Sequence, residues 1–337
     1  MSDPTVAEES RRPPVVAVVT LLTALLTVLL IAFAWPAARS EPRDLPIAVA
    51  GPQPAVAQVQ GGLEQAMPGG FEVTAVEDRA AAVKAIEDRD VYGAIVLDPQ
   101  NPEVLTASAG GPAVAQILTQ LSSRMAAQNQ EAAPKVTDVV PLPQDDPRGA
   151  GLAAGALPLV LGGIIAAAAL TQLVKGGSRR MAGAVTFAVT GGLALTAVLQ
   201  YWLGSLEGTY WVNASVIALS IGAISLTLLG LEWLFGRVGL AVGAATMMLL
   251  GNPLSGLTSA PEMLPSGWGA LGQLLPPGAA GTALRSVSFF DGAGSAGPFL
   301  VLTCWFVAGL VLCGLGAMRS RTRRVVPARH DASPVTV

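Results

Sequence analysis

Six apolar runs, near 15–35, 152–174, 181–203, 212–234, 238–258 and 297–318, hold between them a single charged residue, Glu232. Each is about 20 residues long, the length a helix needs to cross a hydrocarbon core. In that medium every backbone polar group must be paired internally, so such runs leave one economical solution, a set of packed transmembrane helices. The chain is 52% hydrophobic and only 13% charged, and its charges collect at 36–148 and in short groups between the runs. That distribution excludes an ordinary soluble globular protein.

The flanks give the threading. Arg11 and Arg12 precede the first run, Lys175, Arg179 and Arg180 lie between the second and third, and Arg237 lies between the fourth and fifth. Arg319, Arg321, Arg323 and Arg324 follow the sixth. With six spans these groups all fall on one side. Glu207 and the segment 36–150, with 15 Asp/Glu against 8 Lys/Arg, fall on the other. The positive-inside rule then places both termini in the cytoplasm and 36–150 outside a multi-pass plasma-membrane protein. The first run exceeds the 7–15 residues of a signal-peptide core. It therefore reads as an uncleaved anchor despite the cleavage-like "AFA" at 32–34. "SRR" at 10–12 is followed by two prolines and reads as a basic flank, not a twin-arginine signal.

The outer segment has the patterning of a folded domain. "LPIAVA" (45–50) reads as a buried strand and 55–66 as a helix. "FEVTAV" (71–76) alternates as a half-buried strand does. A surface helix over 78–90, capped by Asp78, is followed by the β-branched strand "VYGAIVL" (91–97). A further strand at "EVLTAS" (103–108) and a helix over 112–131 complete the order β-α-β-α-β-β-α. This is a mixed α/β unit of about 100 residues, an ordinary domain size. The Pro-rich "VVPLPQDDPRG" (139–149) returns the chain to the membrane. The expected fold is thus an α-helical polytopic membrane protein of six transmembrane helices, with an extracytoplasmic α/β domain between the first and second.

Chemistry-bearing patterns are scarce. Cys304 and Cys313 share one apolar run; on a helix they stand about 13 Å apart on nearly opposite faces, too far to bridge. The single histidine, His330, is in the polar tail. No nucleophile–base set, metal cluster, phosphate loop or aromatic–basic patch can be assembled, which points away from an enzyme, a cofactor and nucleic acid. The acidic runs read as a solvated face. Glu232, near Arg237, and Gln172 and Gln200 all sit near span ends, so the deep carboxylate of a proton-coupled transporter is lacking. Gly151-xxx-Gly155 and Gly239-xxx-Gly243 permit close helix contact, within the fold or at a dimer seam.

One stretch resists the simple threading: "LLGNPLSGLTSAPEMLPSGWGALGQLLPP" (249–277). Proline breaks helices, and broken backbone facing lipid is costly. Val238 to Leu250 covers only about 20 Å of helix, so the fifth span is expected to run on past Pro253 with a kink there. Trp268, Leu271, Leu274 and Leu275 then share a helical face, and Ala280, Ala283, Leu284 and Val287 repeat at helical spacing after Pro276-Pro277. Two half-length helices, each about 15 Å long, would form a re-entrant or interfacial outer hairpin over 259–296, shielded by the other spans.

"GNPLSG" followed by "PEMLPSGWGALGQLLPPGAAGTALRS" resembles the segment before the last span of ABC-2 type exporter permeases. The closest group is the YhgE/Pip (phage infection protein) relatives, which share the layout of one N-terminal span, a large outer domain and five clustered spans. The resemblance implies a homodimeric permease in membrane lipid that exports a lipid, polymer, peptide or drug with a cytoplasmic ATP-binding-cassette ATPase. It makes Asn252, Pro253, Glu262, Pro265, Trp268, Pro276 and Arg285 the candidate outer gate, with the prolines either gate parts or plain helix punctuation. The chain has no GxxxxGK[ST] loop, so ATP hydrolysis would belong to a separate subunit. Its loop "VKGGSRRMAG" (174–183) is shorter than the coupling helix such permeases present. The competing reading is a non-transporting scaffold whose outer domain binds a partner in envelope assembly or secretion. Glu262 and Arg285 either lie close, directly or through water, and help hold the hairpin closed, or point separately into the headgroup layer.

In a background with both cysteines replaced, single cysteines at Gln60, Asp145 and Glu207 are expected to label from outside intact cells. A cysteine at Ser178 should label only after permeabilisation, and external labelling there overturns the six-span threading.

Overall fold

The computed structural model describes residues 15–98, 101–129 and 134–324. Helix α1 (Val15–Ala38) extends the expected first span by one turn at its C-terminal end. Its apolar window is 0% buried. Only its last turns meet protein: Pro36 is buried, and the Trp35 ring stands edge-on to Trp268 at 5.6 Å. A uniformly apolar helix with no preferred face is suited to a membrane span.

The α/β domain then forms in the order β1 (Leu45–Ala50), α2 (Gln53–Ala66), β2 (Phe71–Val76), α3 (Arg79–Glu87), β3 (Gly93–Val96), β4 (Glu103–Thr106), α4 (Pro112–Asn129) and β5 (Lys135–Asp138). The five strands lie in the order β2-β1-β3-β4-β5. All neighbours are parallel except β3 and β4. Alternation in β1 explains the layering. Leu45, Ile47 and Val49 pack on Val56, Val59 and Leu63 of α2 and on Val114 and Leu118 of α4. Ala48 and Ala50 face Ala82 and Ile86 of α3 on the opposite side. Asp78 caps α3 as expected, its carboxylate accepting from the Ala81 N–H at 2.8 Å.

Strand β5 is absent from the sequence reading. It is a four-residue edge strand with little apolar content, held by its ladder to β4 in the register Glu103↔Lys135. Buried Glu103 ties the neighbourhood together, accepting from Arg79 Nε at 2.6 Å and Thr137 Oγ1 at 2.5 Å. The domain's core is also less self-contained than its patterning suggests. Ala260 and Met263 complete one side of it and Phe290 the other, all three supplied from beyond residue 250.

In the membrane half, α5 (Ala150–Leu173) begins where the Asp146 carboxylate accepts from the Ala150 and Gly151 N–H groups at 2.8 and 2.7 Å. Helix α6 (Gly177–Ala197) continues as a π-helical turn to Trp202. Helix α7 (Tyr210–Phe235) is the hub, 78% buried over its apolar window against 33% or less for the other long helices. Its Ala, Ser and Gly positions let α5, α6 and the last helix, α11 (Ala296–Arg324), close around it.

Among the described residues five helices, α1, α5, α6, α7 and α11, are long and apolar enough to cross a membrane. The fifth expected span is shorter than its apolar run. Helix α8 (Arg237–Ala245) continues as a π-helical turn only to Gly251, about 22 Å in all. The expected kink at Pro253 is not found, because the helix has already ended there and 252–254 is a turn. Pro253 has no N–H to return to Leu249 O, which stops the ladder, although Leu254 N still reaches Leu250 O. The hairpin follows as α9 (Trp268–Gln273), a six-residue turn and a half shorter than expected, and α10 (Pro276–Phe289), about 21 Å long.

Gly309 of α11 sits against the backbone of α7, where an added Cβ would lie 2.7 Å from the Thr227 nitrogen. Gly309→Val is therefore expected to cost about 1–3 kcal/mol by forcing the helices apart. Gly314, on the same helix, has nothing within 4 Å of an added Cβ. Gly314→Ala should be neutral or stabilising by about 0.5–1 kcal/mol. Thermal unfolding in detergent distinguishes the two.

Candidate functional site

The α/β domain and the hairpin meet across a polar junction. Backbone groups of the linker before β1 pair with the hairpin, Glu41 N to Met263 O at 3.0 Å and Arg43 N to Glu262 O at 3.1 Å. Arg43 Nη1 also donates to Met263 O at 3.2 Å. On the far side of the sheet, Arg89 Nη1 donates to Thr282 O at 3.2 Å and Ser286 Oγ at 2.5 Å, both on α10. The Tyr92 hydroxyl donates to Glu262 Oε2 at 2.8 Å.

The position of Arg89 follows from how α3 ends. Asp90 N bonds back to Ala85 O and Arg89 N to Ile86 O, the paired bonds of a Schellman termination. The residue at that bend must be left-handed, and Arg89 takes it at φ 63°. Glycine is the usual occupant, and an arginine costs about 1–2 kcal/mol there. The side chain so placed reaches α10 and lays its guanidinium 5.1 Å from the centre of the Phe290 ring.

Behind these contacts lies a cavity of about 230 Å³, walled by Arg89, Tyr92, Glu262, Gln273, Thr282 and Arg285 among others. Arg285, 4% exposed, is held from α10 by Nη2 donating to Leu257 O at 3.1 Å. Burial, and secondarily the like charge of Arg89, push its guanidinium down to about 10, which leaves it charged at neutral pH. Burial also lowers Arg89, with Tyr92 and Glu262 opposing. Burial and then Glu262 push the Tyr92 phenol above its ordinary range, which keeps it the donor in its bond.

The sequence-nominated residues separate into distinct places. Glu262 and Arg285 share the cavity, but no ion pair joins them among the described residues, since Glu262 is engaged by Tyr92 and Arg285 by Leu257 O. Neither the direct pairing nor separate exposure in the headgroup layer describes Arg285, which is buried. Asn252 and Pro253 line a second space of about 410 Å³ between the outer end of α1, α5 and the turns at 252–259. Pro276 is buried at the start of α10, and Pro265 O accepts from the Trp268 N–H at 2.9 Å. Trp268 is half-exposed against Trp35.

The basic groups gather at the C-terminal end of α7. Arg180 donates to Val174 O at 2.8 Å and Thr171 O at 2.7 Å, closing the end of α5, and lies 3.5 Å from Glu232 of α7. Glu232 therefore answers Arg180, where the sequence suggested Arg237. Arg319 donates to Leu234 O at 3.2 Å, while Lys175, Arg179 and Arg237 are exposed. Arg11, Arg12, His330 and the side chains of Arg321, Arg323 and Arg324 lie outside the described residues.

Arg89 and Tyr92 are the residues the sequence did not nominate. Arg89 falls in a charged helix pattern that reads as a solvated face. A left-handed helix end without glycine carries no signal of its own. Searched against protein-family models and against curated proteins, the sequence finds no significant match.

Tyr92→Phe leaves the Glu262 carboxylate without its donor and is expected to cost about 1–3 kcal/mol. In a double-mutant cycle with Glu262→Gln, thermal unfolding should show at least about 0.5 kcal/mol of coupling. Strictly additive effects would mean that the bond carries nothing across the junction.

Proposed function

We propose that this chain is the membrane subunit of an exporter, with the outer domain acting on the hairpin that closes the outer end of the helix bundle. The observation that carries this reading is the junction. One helix, α10, is packed inside the bundle and at the same time gripped by Arg89 of the outer domain. A movement of the domain would therefore move the hairpin, and the hairpin could not open while Arg89, Tyr92 and Arg43 hold it. Two-state closure of this kind is what an outer gate requires. The resemblance of 251–286 to ABC-2 type permeases supports the same reading and supplies its remaining parts: a homodimer, a separate cytoplasmic ATPase and both termini in the cytoplasm. The gathering of Arg180, Arg237 and Arg319 at one end of α7 is consistent with that orientation.

A second reading, a membrane-anchored scaffold displaying the outer domain to a partner in envelope assembly or secretion, draws on the same junction taken as a fixed joint. Purification of the full chain from its native membrane in mild detergent separates them. An exporter subunit should bring down an ATP-binding-cassette ATPase, and Arg89→Ala should alter substrate export without releasing that ATPase. Recovery of envelope or secretion proteins with no ATPase overturns the export reading and favours the scaffold.

A further inference from the structure

The cavity between the outer domain and the hairpin carries more positive charge than its surroundings answer. Two guanidiniums, Arg89 and Arg285, share it with one carboxylate, Glu262, whose Oε2 already accepts from Tyr92. Its other polar walls are committed as well. Gln273 Nε2 donates to Ser255 O at 3.0 Å, and Gln273 Oε1 accepts from Thr282 Oγ1 at 2.7 Å. Donors are left over. Arg285 is 4% exposed, and its buried Nε finds no acceptor among the described residues. An unanswered donor on a buried cation is among the more costly features a fold can keep. Arg89 is positioned at the expense of a left-handed backbone, and Thr282, Ser286 and the Phe290 ring hold its guanidinium in place.

We propose that this cavity is a binding site for a phosphate-type oxyanion, held between the forks of Arg285 and Arg89. Planar guanidiniums match the oxygens of phosphate two at a time, and a shielded site with one excess positive charge favours an anion over water or a cation. The space of about 230 Å³ admits such a group with a small substituent. The phosphate could belong to a soluble solute or to an anionic lipid headgroup. The site does not depend on the export reading: a scaffold could hold the same ligand.

The test uses the full chain in a neutral, phosphate-free detergent. Thermal unfolding is followed against sodium phosphate, against sodium chloride of equal ionic strength, and against phosphatidylglycerol or phosphatidylcholine added to the micelles. Phosphate or phosphatidylglycerol should raise the Tm saturably by about 3 °C or more, with no such rise from chloride or phosphatidylcholine. A response to inorganic phosphate alone assigns a soluble ligand, and a response to phosphatidylglycerol alone assigns a headgroup. Arg285→Gln and Arg89→Gln should each raise the half-saturating concentration about tenfold or more. If Arg285→Gln does not fold, Arg285→Lys, which keeps the charge and loses the fork, carries the same expectation. No rise from either phosphate source overturns the proposal, as does a rise that Arg89→Gln and the folded Arg285 variant leave unchanged.

Discussion

Helix α10 belongs to two cores at once, and the architecture depends on that. Its Ala279, Ala280, Ala283 and Leu284 pack into the membrane half, while Phe289 and Phe290 at its end pack against the α3 face of the outer sheet. Its mostly small side chains let it be covered on nearly all sides. Gly278 and Gly281 have no room for a Cβ, being closed off by Gly272 O and by the Leu257 side chain. The domain and the bundle are therefore not two bodies on a tether; the helical half supplies part of the domain's interior. The polar bonds from Arg89, Tyr92 and Arg43 lie around this shared helix, where burial strengthens them.

The proline-broken stretch is tolerable for a related reason. Backbone that leaves a helix near lipid needs substitute partners, and here side chains supply them. Gln273 donates to Ser255 O, Ser255 Oγ to Asn252 O, Arg285 to Leu257 O, and Trp305 Nε1 of α11 to Leu274 O at 2.8 Å. The irregular turns after α8 are thus stitched to α9, α10 and α11.

Elements with their own periodic signal were legible in the sequence. The long apolar runs and the alternation of β1 and β2 each encode their structure locally, and Asp78 announces the start of α3. What escaped depends on partners distant in sequence. Strand β5 exists because β4 offers it an edge. The apolar run after Arg237 continues beyond the point where its helix stops, since composition records hydrophobicity and not the last satisfied carbonyl. Glu262 and Arg285 stood out as isolated charges in an apolar half, which is why they were found. Arg89 and Tyr92 stood among other polar residues, and only the fold shows that these two turn inward. Glu262 and Arg285 do share one cavity, but the direct partner of the carboxylate is Tyr92, which lies in the α/β domain and carried no signal in the sequence.

The isolation of α1 has a bearing on how the sequence can drift. Over most of its length this helix answers only to the solvent properties of lipid, so one apolar side chain serves nearly as well as another, whatever its shape. Around Trp35 and Pro36 the requirement changes to a specific fit against Trp268 and the turns beyond α8. Helix α7, shape-matched on every side, has no comparable freedom. Two helices of similar hydropathy, 2.9 and 2.1, thus stand in opposite surroundings, one exposed over its whole apolar window and the other 78% buried among its neighbours.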